Sequence, residues 1–158
     1  MITWRQVVQE SDKAIIFRLT RDTGVFSDEE VNIAVELADE KLLEGDVCSY
    51  QFLFAEQDRQ VVGYSCFGLI PFTDRRFDLY WIAVDKKLQK QGIGKKILQR
   101  SEEIMLSQGG EQVYAETSGR DDYIATRHFY QRNQYIQMAE LPNYYRHGDS
   151  KIIYCKEL

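Results

Sequence analysis

The fold is decided by the stretch Leu79-Tyr80-Trp81-Ile82-Ala83-Val84-Asp85-Lys86-Lys87-Leu88-Gln89-Lys90-Gln91-Gly92-Ile93-Gly94-Lys95-Lys96. It begins with aromatic and aliphatic residues that predict a strand, passes through a polar loop, and opens a helix. Such a junction presents unpaired backbone N–H groups at the positive end of a helix dipole. Glycines at 92 and 94 let a phosphate approach the main chain without obstruction by side chains. The stretch therefore predicts a pyrophosphate-binding loop.

Two familiar phosphate loops are excluded by single positions in this stretch. A dinucleotide fingerprint of the GxGxxG type requires a third glycine at the position of Ile97. A Walker loop requires glycine where Gln89 stands and serine or threonine where Lys96 stands. The pattern that does match is [QR]xxGxG, over Gln89 to Gly94.

This loop after a hydrophobic strand resembles the acetyl-CoA loop of the GNAT family of N-acetyltransferases. A second segment, Thr126-Arg127-His128-Phe129-Tyr130-Gln131-Arg132-Asn133-Gln134-Tyr135, is similar to the family's second signature, a helix bearing Phe-Tyr before a turn and an aromatic strand start. The order of elements resembles the family from about residue 2 to residue 157. The resemblance implies acetyl-CoA as co-substrate and acetyl transfer to an amine.

Patterns outside the loop predict an α/β protein. Helical periodicity and end signals indicate helices from Asp12 to Thr23, from a Ser27–Glu30 capping box to Gly45, from Ile93 to Gly109, and from Asp121 or Asp122 to Arg132. Strand-like runs occupy residues 2–8, 50–55, 61–67, 77–84, 113–117, 135–139 and 151–155. We expect a GNAT-like fold, with a central mixed seven-stranded sheet and about four helices on its faces, as one domain over residues 1–158.

The resemblance also implies site residues. The main chain of Ile82, Ala83 and Val84 is expected to bind the pantetheine arm, because in the family this strand splays from its neighbour. The pyrophosphate is expected to meet the loop amides of Gln89, Lys90, Gln91, Gly92, Ile93, Gly94 and Lys95. Tyr123 and Thr126 occupy positions where the family usually has Asn and Ala, and they are assigned to the cofactor site. Tyr130 matches the phenol that protonates the departing thiolate, and we predict that it faces a cleft.

The general base has three candidates. Strict alternation along residues 77–84 places Asp78 and Tyr80 on one face of the strand, and Phe77, Leu79 and Trp81 on the other. Asp78 is therefore expected to face the substrate cleft. Glu116, on the next strand, is the second candidate, and a chain of bound water is the third.

Composition sets limits on location and partners. A net charge of −5 argues against nucleic acid, and no apolar run is long enough to cross a membrane. The N-terminus lacks the pattern of a signal peptide, so a cytoplasmic location is expected. Two histidines and three cysteines without a CxxC pair predict no metal site.

The acceptor is expected to be a small amine or an amino-acid-like molecule. The alternatives are a peptide or protein acetyltransferase and a non-catalytic acyl-CoA-binding regulatory module. Residues 141–150 are predicted to form a loop that borders the acceptor site or serves as a homodimer contact.

Overall fold

A computed structural model describes all of residues 1–158 and contains one seven-stranded sheet. The strands are β1 (Thr3–Arg5), β2 (Tyr50–Gln57), β3 (Gln60–Leu69), β4 (Arg76–Val84), β5 (Gln112–Ser118), β6 (Ile136–Arg146) and β7 (Asp149–Glu157), in the spatial order β1-β2-β3-β4-β5-β7-β6. The helices are α1 (Asp12–Asp22), α2 (Asp28–Glu44), α3 (Ile93–Ser107) and α4 (Ile124–Arg132). The predicted mixed α/β architecture is confirmed.

The sheet opens in its middle. β4 and β5 form the only parallel pair, and their register runs from Arg76 opposite Gln112 to Leu79 opposite Ala115. Beyond that point β4 continues to Val84 with β3 as its only neighbour. Backbone groups of residues 80–84 that point away from β3 therefore have no strand partner, which is the splay that the resemblance implied.

The two faces of the sheet have separate cores. Helices α3 and α4 cover one face, where Ile97, Leu98 and Met105 are fully buried. Helices α1 and α2 cover the other face, where Ile16 and Ala38 are fully buried.

The predicted capping box of α2 is present. The Ser27 hydroxyl accepts a hydrogen bond from the Glu30 amide at 3.2 Å, and Glu30 Oε2 accepts one from the Ser27 amide at 2.7 Å. This reciprocal pair satisfies two backbone donors at the start of the helix. It also fixes the side chain of Glu30 beside the turn that joins α1 to α2.

A β-bulge in β4 corrects the predicted faces of that strand. Cys66 of β3 lies opposite Trp81 and Phe67 lies opposite Leu79, so Tyr80 is an extra residue without a partner. An extra residue reverses the alternation that follows it. Trp81 consequently lies on the α1/α2 face with Asp78 and Tyr80, and the prediction that it shares a face with Phe77 and Leu79 is wrong.

The predicted loop over residues 141–150 is instead a hairpin. β6 runs to Arg146 and β7 starts at Asp149, although Pro142 lies within β6. Proline is tolerated there because β6 is the edge strand of the sheet. A second correction concerns α4, where a short 3₁₀ turn over Asp121–Tyr123 precedes the helix and neither aspartate caps it.

Candidate active site

The loop between β4 and α3 has the geometry that its sequence predicts. Gly92 begins the helix with a φ of 78°, a left-handed conformation that favours glycine. The first helical amide with a main-chain acceptor is that of Lys96, which donates to the Gly92 carbonyl at 3.1 Å. The amides of Ile93, Gly94 and Lys95 precede it and have no intrahelical partner. This end of α3 is therefore a cradle of free backbone amides, of the kind that suits an anion.

The space around Gly94 agrees with such a cradle. A Cβ atom at this position would lie 3.5 Å from the Phe129 ring and 3.6 Å from Val84, which is ordinary contact. Packing within the protein therefore does not require glycine at 94, and the lack of a side chain leaves the main chain open to a ligand. Lys90 and Lys95 are exposed beside the cradle. The residues present thus fit a pyrophosphate.

Asp85 anchors the start of the loop. It forms an ion pair with Arg18 of α1 at 2.8 Å and accepts a hydrogen bond from the Lys87 amide at 3.0 Å. The bond from Arg18, followed by that from Lys87, lowers the pKa of the Asp85 carboxyl. The loop is therefore tied to α1 as well as to β4.

Tyr130 lies at the base of the opening between β4 and β5. Its ring stacks on Tyr154 with centroids 5.8 Å apart, and Tyr154 lies opposite Ala115, the last residue of β5 that pairs with β4. The residue is only 5% exposed, so Tyr130 is packed in the core, whereas the sequence predicted that it faces a cleft. Three polar side-chain atoms are fully buried and lack a hydrogen-bond partner, namely Trp81 Nε1, Thr117 Oγ1 and Tyr154 Oη. The Tyr130 hydroxyl is not one of them.

The chemistry of Tyr130 follows from this burial. The hydroxyl forms no hydrogen bond with the rest of the chain and is not sealed from solvent. Burial, and then the nearby Tyr123, raise the pKa of the phenol above its ordinary value. Tyr130 therefore keeps its proton at neutral pH, as a proton donor requires.

A cavity of about 650 Å³ opens on the α1/α2 face of the sheet. Its walls come from the turn before α2, from β4 and β5, from the segment after β5 and from the β6–β7 hairpin, through Gly24, Val25, Phe26, Ser27, Glu30, Asp78, Leu79, Tyr80, Trp81, Glu116, Thr117, Ser118, Arg120, Asp122, Tyr123, Tyr145, Arg146 and Asp149. Both carboxylates considered as general base thus line the same cavity. The hairpin borders it through Tyr145, Arg146 and Asp149.

The two carboxylates differ in their surroundings. Burial, and then the negative charge of Glu116, raise the pKa of Asp78 to about 6, while Lys151 acts in the opposite direction. Glu116 is half exposed and forms an ion pair with Lys151 at 2.9 Å. A base works best when its pKa lies near the working pH, so Asp78 is the better suited of the two.

Two hydrogen bonds hold the turn between α1 and α2 over the cavity. The carbonyl of Val25 accepts them from Arg120 at 3.2 Å and from the Tyr123 hydroxyl at 3.3 Å. Phe26 packs between Trp81 and Tyr123, with both pairs of ring centroids 6.4 Å apart. The cavity is therefore roofed by a segment that two side chains fix in place.

Tyr123 and Thr126, which stand where the family usually has Asn and Ala, lie in different parts of the structure. Tyr123 is buried in the wall of the cavity, although the resemblance assigns it to the cofactor. Thr126 lies on α4 one turn before Tyr130 and is partly buried. Ile93 is buried in the core, so only its main chain is available to a ligand.

Sequence reasoning missed a polar group at the mouth of the cavity. Asp149 is only 3% exposed and accepts a hydrogen bond from the Ser118 hydroxyl at 2.5 Å. Arg120 and Arg146 approach its carboxylate at 3.9 Å and 3.7 Å. No local spacing signals this group, because its members come from β5, from the segment after β5 and from the hairpin.

Two further features lie outside the cavity. No helix has both the length and the apolar character needed to cross a bilayer. Glu40 and Glu44 at the end of α2 and Cys48 after it offer potential metal-ligand atoms within 4.8 Å of one another. None of these three residues lines the cavity.

Comparisons with known proteins agree with this geometry. The profile of the acetyltransferase (GNAT) family matches residues 16–135. A structure from Desulfovibrio desulfuricans assigned to that family is 40% identical, with a TM-score of 0.97 over 99% of each chain. Among curated protein sequences, none matches the chain.

More distant structures share the fold. An aminoglycoside 6'-N-acetyltransferase complexed with coenzyme A is 19% identical, with a TM-score of 0.77 over 99% of this chain and 96% of the other. The ribosomal-protein-S18-alanine N-acetyltransferase of Escherichia coli is 16% identical, with a TM-score of 0.76 over 99% and 94%. At such identities the likeness concerns the fold alone.

Proposed function

The chain belongs to the GNAT family of acetyltransferases, and on this premise we propose that it transfers an acetyl group from acetyl-CoA to the primary amine of a small acceptor, by direct attack in a ternary complex. The observation that carries the proposal is the opening between β4 and β5. The free amides at the start of α3 lie beyond the end of β4, where β4 and β5 have separated. Asp78 lines the cavity on the α1/α2 face.

The backbone supplies the binding surface for the donor. The free amides at the start of α3 suit the pyrophosphate of coenzyme A, since they concentrate partial positive charge without a side chain. The unpaired main-chain groups of Ile82, Ala83 and Val84 suit the amides of the pantetheine arm. When bound, acetyl-CoA supplies the acetyl group in activated form, as a thioester.

Side chains then perform the proton transfers. Asp78 removes a proton from the acceptor ammonium or from the attacking amine, which its pKa of about 6 allows near neutrality. Tyr130 donates its hydroxyl proton to the departing thiolate, since burial keeps the phenol protonated. Backbone amides along the open edge of β4 stabilise the negative charge that develops on the carbonyl oxygen.

The roof of the cavity favours a small acceptor over a peptide. Arg120 and Tyr123 both hold the Val25 carbonyl, so the turn between α1 and α2 is fixed across one end. The hairpin residues Tyr145 and Arg146 close another side. A cavity of about 650 Å³ is in the range of small-molecule sites.

The test combines calorimetry with thiol release. Purified protein is titrated with acetyl-CoA, and free coenzyme A is then followed against a panel of amines and against peptides with a free N-terminus. Saturable binding with thiol release that depends on a small amine is the expected result. Release with peptides alone would instead identify a protein acetyltransferase, and binding without release to any acceptor would identify a regulatory module. Absence of binding would refute the proposal.

A further inference from the structure

A row of charged side chains crosses the α1/α2 face of the sheet beside the acceptor cavity. Asp78 of β4 lies opposite Tyr114 of β5, so Glu116 is the next residue of β5 on the same face. Lys151 of β7 lies opposite Ser118, the residue of β5 that follows Glu116 on this face. Because β4, β5 and β7 are neighbours in the sheet, two carboxylates and one ammonium group occupy adjacent strands.

Lys151 is held firmly in this row. Its ammonium group forms an ion pair with Glu116 at 2.9 Å and lies 4.5 Å from the centre of the Tyr144 ring. Only 13% of its side chain is exposed, although lysines are mostly exposed in folded proteins. Burial lowers the pKa of Lys151, but the hydrogen bond and the charge of Glu116 outweigh burial and raise it overall. Lys151 therefore keeps its positive charge at neutral pH.

The two carboxylates of the row have different partners. Glu116 is engaged by Lys151, and a proton on Glu116 would remove the charge that holds this ion pair. No hydrogen bond from the chain contributes to the pKa of Asp78, which burial and then Glu116 raise and Lys151 lowers. Asp78 is therefore the carboxylate that can take up a proton without breaking an ion pair.

The other groups around Asp78 do not change this balance. Its partner on β3 is Gly68, which carries no charge. Burial is the first cause that raises the pKa of Tyr80 and that of Tyr114, so both phenols stay neutral where Asp78 titrates. The other charged residues that line the cavity are not among the influences on the pKa of Asp78, and they are Glu30, Arg120, Asp122, Arg146 and Asp149.

We propose that Lys151 is a positioning residue of the acetyl transfer, which engages Glu116 and so leaves Asp78 as the carboxylate that takes the proton of the acceptor amine. This inference rests on the proposed function, in which Asp78 is the base. Lys151 touches neither acetyl-CoA nor the acceptor and acts through the two carboxylates. Without its charge, two carboxylates on neighbouring strands face each other unbalanced, and each disfavours ionisation of the other.

The first measurement compares pH profiles of kcat/KM for an amine that supports turnover. Lys151→Met keeps an unbranched side chain of similar length and removes the charge. The midpoint of the rise with pH is expected to move upward by about 0.5–1 unit, because a nearby cation favours the ionised form of Asp78. Well below the midpoint this shift corresponds to a rate about three- to tenfold lower, while the rate on the alkaline plateau should approach that of the wild type.

Lys156→Met is the matched control. Lys156 lies on the same strand, has 19% of its side chain exposed and pairs with Glu102 at 2.7 Å. It lies opposite Val113, on the face that α3 and α4 cover. Its loss should leave the midpoint unchanged. Lys151→Arg keeps the charge and should keep the midpoint near the wild-type value. Combining Lys151→Met with Glu116→Gln removes both opposing charges and should return the midpoint toward that value.

The second measurement needs no acceptor. The NMR signal of the Asp78 carboxyl carbon is followed through its titration in the wild type, in Lys151→Met and in Lys156→Met. An upward shift of the midpoint in Lys151→Met alone is expected. An unchanged midpoint in Lys151→Met, or an equal shift in Lys156→Met, would overturn the inference whichever amine is the substrate.

The two measurements together separate this inference from the function on which it rests. If acetyl-CoA binds and an amine is acetylated, but the pH profile of Lys151→Met matches that of the wild type, the inference is overturned and the acetyltransferase remains. A uniform loss of rate at every pH would also overturn it, because that result indicates a purely structural role. If acetyl-CoA does not bind, the proposed function fails, and the role of Lys151 in the reaction fails with it.

Discussion

The donor loop and the acceptor cavity are built in opposite ways. The loop proposed to bind the donor, residues 89–95 and called the donor loop, is contiguous in sequence and offers backbone amides at the start of α3. The acceptor cavity gathers residues from Gly24 to Asp149, from the turn before α2, from β4 and β5, from the segment after β5 and from the β6–β7 hairpin. The first can therefore be identified from spacing alone, while the second depends on which elements the fold brings together.

The largest expected effect concerns the donor loop. Gly94→Glu should lower acetyl-CoA affinity by about 100-fold or more, roughly 2.7 kcal/mol, because a carboxylate would meet the free amides and repel the phosphates. Thermal stability should change little, since a Cβ at this position makes only ordinary contacts. Calorimetry and thermal unfolding measure the two effects. Gly94→Ala is the graded control, with a smaller loss of affinity at similar stability.

An unchanged affinity of Gly94→Glu for acetyl-CoA would contradict the assignment of the donor loop. It would mean that the start of α3 does not receive the phosphates, and that the backbone cradle has no ligand of this kind.

The second effect concerns the base on the acceptor side. Asp78→Asn should lower kcat by about 100- to 1,000-fold and leave acetyl-CoA affinity unchanged, because general-base catalysis contributes this much. In the wild type, kcat/KM should rise with pH through about 6 as Asp78 ionises. The variant should lack this rise. Steady-state rates between pH 5 and 8 provide the measurement.

Glu116→Gln serves as the matched control for Asp78. It should retain most of kcat, and it should move the pH midpoint downward, because the charge of Glu116 contributes to the raised pKa of Asp78. A loss of kcat in Glu116→Gln as large as in Asp78→Asn would transfer the role of base to Glu116.

Asp78 also links function to stability. Its pKa in the folded protein is about 6, above the ordinary 3.8, so the folded state holds this proton more tightly than the unfolded chain does. The associated stability is fully present below about pH 4 and is lost as pH rises to about 6. Asp78→Asn is therefore expected to raise the melting temperature at pH 7 relative to the wild type, and not at pH 4.

The third effect concerns Tyr130, the proposed proton donor between the donor loop and the acceptor cavity. Tyr130→Phe should lower kcat about 10- to 100-fold and leave acetyl-CoA affinity nearly constant. Stability should also be kept, because the hydroxyl makes no hydrogen bond and the stacking on Tyr154 persists. Unchanged turnover would show that the thiolate is protonated by another group.

The smallest expected effect tests whether Tyr123 contributes to acceptor binding or to acetyl-CoA binding. Tyr123→Phe removes the hydrogen bond to the Val25 carbonyl and loosens the roof of the cavity. KM for the acceptor should rise about two- to fivefold, as for the loss of one hydrogen bond, with acetyl-CoA affinity unchanged. Weaker acetyl-CoA binding with an unchanged acceptor KM would place Tyr123 on the cofactor side, as the resemblance implies.

Predictions from the sequence failed where a single residue altered a regular pattern. Strict alternation misplaced Trp81, because the unpaired Tyr80 reverses the faces of β4. Residues 141–150 were expected to form a loop, but they form the β6–β7 hairpin, in which Pro142 is tolerated because an edge strand does not need the missing N–H. In both cases the deciding fact is how the strand pairs with its neighbour in the sheet.

The sequence by itself determined the strands, the four helices and the glycine-bearing loop before α3. Hydrophobic periodicity, the Ser27–Glu30 box and the glycines at 92 and 94 act over a few residues, so their effect is local. Only the tertiary structure decided the burial of Tyr130, the raised pKa of Asp78 and the pairing of Arg120 and Arg146. These properties depend on desolvation and on charges from distant elements, and both arise only when the chain has folded.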